Sequence, residues 1–429
     1  MASISVIGVP EDGCLSLTSK AVNEVAQSRI IAGHPRHLAW FPQFQGDFLD
    51  MTQGFSTWLS QVIEESEEGG VTVLASGDPL FFGIGSTLLK HLPAEDLRFI
   101  PTQSSPQLAF SRLGIAWNQA QFLSVHGRKL DGIAAQMQSG NLFAILTDDK
   151  NTPQVLAAHL KQFNQCYWTL SVCEQLGGLD EKVTRFTVEE LAEASHQFDK
   201  LNMVVAQRNQ RSSLFEWGGF GQFAADSSFS KRMPKNGLIT KQSVRNLALT
   251  QLKITPDDVV WDIGAGSGSI AIEAAKFAYK GQVFAVECNS PCFEVIEANC
   301  QAHATDNVAL VKQQAPSGLV DLTDPNAVFV GGSRGAMNDI LTQVWQRLHS
   351  NGRLVVSAVT VDTVGEVYQW SKTNNIEMDA QLIHVSHLQP LAHYQRYQAD
   401  NPIHLFTFNK PDSEQKTALS SSNEQGETT

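Results

Sequence analysis

Three observations predict an α/β fold in two parts. Apolar strand-length runs alternate with helix-period segments over residues 3–206, the rhythm breaks over 207–236, and it resumes over 237–409 around a glycine-rich turn. Strands alternating with helices imply mainly parallel sheets covered by helices. A chain of 429 residues has room for two or three such domains.

The N-terminal elements follow in order. Residues 3–9 are an apolar strand, 19–28 a helix and 29–32 a short strand. A helix pattern over 55–68 stops at Gly69-Gly70, and the buried-strand pattern of 71–75 stops at Ser76-Gly77-Asp78-Pro79. A helix over 83–91 precedes strands at 97–100, 121–124, 142–146, 167–173 and 203–206. Residues 207–236, rich in Gln, Ser, Gly, Phe and Arg, read as an interdomain connector, so the first domain is expected over 1–206. The second, over 237–409, should place strands at 259–263, 282–287, 308–312, 327–331, 352–358 and 404–408. The polar tail 410–429 lacks the apolar content to form a core.

The most informative segment is Asp262-Ile-Gly-Ala-Gly-Ser-Gly268, between an apolar strand and a helix, with a second strand ending at Glu287. Glycines at 264, 266 and 268 permit a sharp turn and close approach to a ligand. Glu287 follows about twenty residues on, where a carboxylate accepts hydrogen bonds from ribose hydroxyls. A nucleoside ligand is expected. The dinucleotide fingerprint needs glycine where Ser269 stands, and a phosphate loop needs a Gly-Lys pair that is absent. The segment is similar to the S-adenosylmethionine (SAM) loop of Rossmann-like methyltransferases. A ligand-free turn and a nicotinamide dinucleotide are the alternatives.

Composition excludes several classes. The net charge of −13 argues against a nucleic-acid partner, because a phosphate backbone needs a basic face. No apolar run approaches the ~18 residues that span a bilayer, and the N-terminus reads as a strand, so a soluble cytoplasmic protein is expected, with no membrane partner. Six scattered cysteines with no C-x-x-C pair indicate neither a zinc ribbon nor a disulfide framework. Residues 227–256 contain no acid but carry Lys231, Arg232, Lys235, Lys241, Arg245 and Lys253. They could receive a small polyanion or form a solvated linker.

Several motifs together carry a family resemblance. Ser76-Gly-Asp-Pro-Leu-Phe-Phe-Gly-Ile-Gly85 resembles the Gly-Asp-Pro loop of the tetrapyrrole (corrin/porphyrin) methylases. Gly8-Val-Pro-Glu-Asp-Gly13, Leu123-Ser-Val-His-Gly-Arg128, Leu146-Thr-Asp-Asp-Lys-Asn-Thr-Pro153 and Val172-Cys-Glu-Gln-Leu-Gly-Gly178 resemble its C5-directed branch. Gly237-Leu-Ile-Thr-Lys241, the SAM loop, Gln314-Ala-Pro316 and Phe329-Val-Gly-Gly-Ser333 resemble the partner methyltransferase that also decarboxylates. Their order and fusion are similar to the decarboxylating precorrin methyltransferases of cobalamin biosynthesis. The first loop departs from the Gly-Pro-Gly-Asp of most tetrapyrrole methylases. Gln313-Gln314 stands where the partner family often has glycine before Ala-Pro.

The resemblance implies a two-subdomain tetrapyrrole-methylase-like fold followed by a Rossmann-like methyltransferase fold. It implies one SAM per domain, no protein-bound metal, and a precorrin substrate methylated at two meso carbons with loss of the ring-C acetate carboxyl. The N-terminal domain would take position 5, and the C-terminal domain position 15 and the decarboxylation. SAM would be held by Gly77 and Asp78 in the first domain, and by Thr240, Gly264, Ala265, Gly266, Ser267, Gly268, Glu287 and Ala315 in the second. His126, Arg128, Lys241, Gly332 and Ser333 are the candidate substrate contacts. A homo-oligomer is expected. Displacement of a sulfonium methyl by an electron-rich carbon needs alignment and dryness more than a strong base, and no catalytic dyad or triad stands out.

Competing readings remain. Gly331-Gly-Ser-Arg-Gly335 also fits the G-x-S-x-G nucleophile elbow of hydrolases, with histidines downstream. His126 could be an ordinary surface residue. Trp261, Phe220, Phe223 and Phe229 read as packing residues, and Cys288 as structural. RNA or protein methylation, or SAM binding without catalysis, are the alternative functions.

Overall fold

The computed structural model describes residues 4–209, 223–231 and 239–412. It divides into two compact units. The first comprises residues 1–129, 141–158 and 168–209, and the second residues 130–140, 159–167 and 210–429.

The first unit holds two five-stranded sheets. One contains β1 (Ile4–Val9), β2 (Ile30–Gly33), β3 (Asp47–Asp50), β4 (Val71–Ser76) and β5 (Leu97–Ile100), in the order β3-β2-β4-β1-β5. All its pairings are parallel. Every residue of β1 is buried, as expected for a parallel strand covered on both faces. The second sheet contains β6 (Gln121–Ser124), β7 (Leu142–Leu146), β8 (Trp168–Glu174), β9 (Lys182–Thr187) and β10 (Asn202–Arg208), in the order β6-β7-β10-β8-β9. Here only β6 and β7 pair in parallel. The other three ladders are antiparallel, so the mainly parallel expectation fails for this sheet. β9 follows β8 through a short turn and returns beside it, which only an antiparallel pair allows.

The second unit is built on β11 (Val259–Ile263), β12 (Gln282–Val286), β13 (Val308–Val311), β14 (Ala327–Val330), β15 (Arg353–Ala358), β16 (Asp379–Ile383) and β19 (Ile403–Asn409). Their order is β13-β12-β11-β14-β15-β19-β16. The first five are parallel, and β19 runs antiparallel between β15 and β16. A separate hairpin pairs β17 (Ser386–Leu391) with β18 (Tyr394–Ala399), exposed at every residue. The strand order reverses at β11, the first strand, which is where an open α/β sheet leaves a crevice beyond its carboxyl ends.

Residues 223–231 are tightly held within the second unit. Glu273, fully buried in the helix Ser269–Phe277, accepts from the Phe223 and Ala224 N–H groups at 2.9 and 2.8 Å. Buried Arg245 donates to Asp226 at 3.0 Å and stacks on Phe229, which in turn stacks on His303 at 4.4 Å. Burial lowers His303 to about 4, with the Lys276 and Arg245 charges adding to that and a hydrogen bond to the Ser228 carbonyl opposing it. The unit also takes in residues earlier in the sequence. Buried Asp306 accepts from Ala134 and Ala135 N–H at 2.9 and 2.8 Å and pairs with His159 Nε2 at 2.8 Å. No local pattern in residues 130–140 signals that they belong there.

Candidate active site

At the carboxyl ends of the second unit's strands lies a cavity of about 430 Å3. It draws together most of the residues singled out in the C-terminal sequence: Thr240, Lys241, Gly264, Ala265, Gly266, Ser267, Glu287, Ala315, Gly332 and Ser333 all line it. Gly268 does not. It precedes the helix Ser269–Phe277 with a left-handed φ of 78°, and a Cβ there would lie 3.3 Å from Ile296.

The three glycines have distinct tasks. Gly264 has φ 76°, and a Cβ on it would sit 2.9 Å from both the N and O of Gly332. It lets the loop after β11 press against the loop after β14, so here close approach serves backbone packing. Gly266 (φ 59°) turns the chain so that its N–H donates to Glu287 Oε2 at 2.9 Å. The other carboxylate oxygen of Glu287 accepts from Cys288 and Asn289 N–H at 2.9 and 2.8 Å. Three N–H groups therefore fix a carboxylate that ends β12 and faces the cavity.

Two further residues support the loop. Asp262 is 1% exposed and accepts from Ala271 N–H at 2.9 Å. Burial raises its carboxyl to about 7; the Ala271 hydrogen bond opposes this and the Glu287 charge reinforces it. Asn299, also buried, donates to the Ser267 carbonyl at 2.9 Å and to the Ser230 carbonyl at 3.0 Å, joining the glycine loop to residues 223–231. Sequence reasoning placed Asp262 at the strand end without giving it a role, and did not single out Asn299. Asp262 carried a signal, an acid closing an apolar strand before a glycine loop, whereas Asn299 lies in an ordinary helix.

The cavity fits a SAM-sized ligand on an observation of its own. Ser267 Oγ is buried in the loop and has no hydrogen-bond partner, a polar atom that a ligand group can satisfy. Glu287 retains lone pairs for hydroxyl donors, and Ile263, Val286, Cys292 and Val295 supply apolar wall. The hydrolase alternative finds no support here. The left-handed backbone that a nucleophile elbow gives its serine falls on Arg334 (φ 51°) and Gly335 (φ 86°), not on Ser333. No histidine lines the cavity.

Other sequence expectations are met differently. Trp261 is fully buried, with Nε1 donating to Thr323 O at 3.0 Å, so it is a packing residue. Phe229 and Phe223 also pack internally, Phe223 edge-on to Phe277, while Phe220 lies outside the described residues. Arg245 cannot meet a polyanion, because its fully buried guanidinium is spent on Asp226, Ala224 O and Thr240 O. Arg232 and Lys235, and the tail from residue 413, lie outside the described residues.

In the first unit, Gly77 (φ 61°) donates to Val9 O at 3.0 Å, and Asp78 Oδ1 accepts from Leu80 N–H at 2.8 Å. Gly8 has no Cβ because one would lie 2.4 Å from the Gly77 carbonyl. Beside this loop, Glu11 holds Arg36 through two bonds of 3.1 and 2.9 Å, so the departing first loop is internally neutralised. Exposed His126 meets Thr147 O at 3.1 Å through Nδ1, and the Arg128 guanidinium lies 5.6 Å from the Phe82 ring centre. Phe82 follows the Gly-Asp-Pro loop, so the loop after β6 closes on it.

Comparison with known proteins places these features in a lineage. Residues 3–192 match the family described as tetrapyrrole (corrin/porphyrin) methylases, and residues 232–410 match the precorrin methyltransferase domain. A precorrin-6Y C(5,15)-methyltransferase [decarboxylating] from Sinorhizobium is 33% identical over 84% of this chain and 85% of its own length. The chain belongs to the decarboxylating precorrin-6Y C5,15-methyltransferase family. Two shorter Salmonella typhimurium proteins match as well. A cobalt-precorrin-7 C(5)-methyltransferase is 31% identical over 42% of this chain and 88% of its own. A cobalt-precorrin-6B C(15)-methyltransferase (decarboxylating) is 30% identical over 41% and 91%. A solved precorrin-6Y C5,15-methyltransferase from Geobacter metallireducens is 37% identical, covers 43% of this chain and 96% of its own, and superposes with a TM-score of 0.41.

Proposed function

We propose that the family's reaction is divided between the two units. The chain is a SAM-dependent C-methyltransferase that decarboxylates a precorrin-type tetrapyrrole in cobalamin biosynthesis, as its family membership requires. In this reading the second unit methylates position 15 and removes the ring-C carboxyl, and the first methylates position 5. The observation that carries it is the second unit's cavity, where Glu287 and an unpartnered Ser267 Oγ meet at the switch point of the sheet. That cofactor supplies an electrophilic methyl group.

The residues act as follows. Glu287 holds the ribose hydroxyls, and the three N–H groups that donate to it keep it aimed. Ser267 and its neighbours in the glycine loop hold the amino-acid end. Ala315, beside the β13 end, lies on the adenine side. Gly332 and Ser333 line the substrate face, with Thr240 and Lys241 opposite. The apolar wall excludes water, so the meso carbon and methyl meet in a fixed alignment. A second SAM, in the first unit, is held at Gly77 and Asp78, with His126 and Arg128 toward the substrate.

Decarboxylation leaves an electron pair that the tetrapyrrole's own conjugated ring system can accept, so the unit needs no separate electron sink. We also read the enzyme as a cytoplasmic homo-oligomer. The exposed hairpin supports self-association, with Leu388, Leu391, Tyr394 and Tyr397 between 49% and 76% exposed. The test of the division compares products of Asp78→Ala and Glu287→Ala. Asp78→Ala should still release carbon dioxide and add one methyl. Loss of decarboxylation in Asp78→Ala, with Glu287→Ala sparing it, would reverse the assignment.

A further inference from the structure

The cavity of the second unit runs along the strand ends. Glu287 and Ala315 follow β12 and β13 on one side of β11. Gly331–Arg334 follow β14, Ser357 and Val359 lie at the end of β15, and Ile403 begins β19, on the other. A nucleoside at Glu287 leaves that second side for the substrate. Two cations line the cavity, Lys241 and Arg334.

They differ in commitment. Lys241 Nζ stands 3.9 Å from Asp226 Oδ2. Arg334 is exposed and makes no hydrogen bond or ion pair among the described residues. Three other arginines of this unit are held in the structure: Arg245 by Asp226, Arg347 by Asp324, and Arg353 by Asp258, whereas Arg396, also exposed, lies in the hairpin and not in the cavity lining. Arg334 also occupies a backbone position that suits glycine, with φ 51° between Ser333 and Gly335. An ordinary side chain there costs of order 1 kcal/mol, and such strain concentrates where a side chain serves a ligand. A guanidinium that lines a cavity with no partner among the described residues has both N–H donors of its fork available to a carboxylate.

We propose that Arg334 orients the substrate by pairing its guanidinium with a peripheral carboxylate of the tetrapyrrole. This rests on the reading that the second unit's cavity takes that substrate. The pair sets which edge of the macrocycle enters, and so which meso carbon and which acetate face the reacting centre. It is a positioning and specificity role, made before chemistry.

The experiment uses the full-length enzyme with saturating SAM and a precorrin-6-type tetrapyrrole, following carbon dioxide release and methyl incorporation. Arg334→Gly removes the cation at a position glycine accepts without strain, so the variant should fold with an unchanged or higher melting temperature. Its KM for the tetrapyrrole should rise about tenfold to a hundredfold, the range for lost hydrogen bonds to a charged group. SAM affinity should stay near wild type, while kcat should fall with the share of tetrapyrrole bound in the wrong orientation. Arg334→Lys, which keeps charge without the planar fork, should recover part of the loss. Esterifying the peripheral carboxylates should penalise wild type strongly and Arg334→Gly little. A wild-type KM in Arg334→Gly, equal sensitivity to esterification, or weakened SAM binding would each overturn the proposal. Glu287→Ala in parallel separates the two levels. If it stops decarboxylation while Arg334→Gly is silent, only the role of Arg334 fails. If neither variant affects decarboxylation, the cavity itself is misassigned.

Discussion

Glu287 gives the sharpest quantitative expectation. Its carboxylate has two tasks, to hold the ribose and to bind three loop N–H groups from Gly266, Cys288 and Asn289 at 2.8–2.9 Å. Glu287→Ala removes both. A hydrogen bond to a charged group is worth about 1.5–3 kcal/mol, so losing the ribose contact alone should weaken SAM binding about tenfold to a hundredfold or slightly more. The N–H groups left without an acceptor add a loop penalty, which appears as a lower melting temperature in the absence of ligand. Glu287→Gln separates the terms. Its carbonyl can serve one side of the cluster, but its amide turns a donor toward the other, so the loop is partly kept and the ionic acceptor is lost. Calorimetric titration with SAM and with an analogue lacking a ribose hydroxyl isolates the contact. Wild type should lose affinity for the analogue, and Glu287→Ala should bind both equally weakly. If Glu287→Ala discriminates between them as wild type does, the carboxylate does not touch the ribose.

Two other expectations concern the same site and a third the independence of the units. Asp262 has a carboxyl raised from 3.8 to about 7, so the native state keeps a proton that the unfolded chain loses. Its stabilising share is complete below pH 4 and fades as pH rises to about 7; Asp262→Asn, whose carbonyl can still accept from Ala271, should gain melting temperature relative to wild type across that window, and parallel curves would refute the buried-acid assignment. Gly264→Ala places a Cβ 2.9 Å from the Gly332 backbone at φ 76°, so it should destabilise the second unit and weaken SAM binding together, as read by thermal melts and titration; a neutral effect would mean the two loops do not pack. A cut near residue 220 should give two soluble SAM-binding fragments. The second should melt lower than in the intact chain, because Asp306 loses Ala134, Ala135 and His159, and circular dichroism showing an unfolded fragment would mean that the units cannot stand apart.

The central strands and the glycine loop were legible because their signals are local. Val259–Ile263 and Gln282–Val286 are apolar runs of strand length, closed by a glycine turn and an acid. Polar edge strands were not: β3 reads Asp-Phe-Leu-Asp and β9 reads Lys-Val-Thr-Arg-Phe-Thr, without the apolar run that marks a covered strand. The hairpin Ser386–Ala399 escaped for the same reason, being exposed on both faces. Most motif residues of the second unit met in one cavity because they follow parallel strands, a geometry the fold imposes; Thr240 and Lys241 reach it from the start of the helix Gln242–Leu252. The roles of Arg245 and Asn299 depend on contacts far along the chain, Asn299 with Ser267 and Ser230 at separations of 32 and 69 residues. Composition offered Arg245 as a free cation, and only tertiary structure shows it buried against Asp226.

The most direct test of the whole account is the mass of the product. Purified enzyme, excess SAM and a precorrin-6-type tetrapyrrole, supplied with and without cobalt, would be analysed by mass spectrometry. The account requires a product with two added methyl groups and one lost carboxyl, for at least one of the two substrates. A product with two methyls and every carboxyl retained, or no methyl transfer to either substrate, would contradict it.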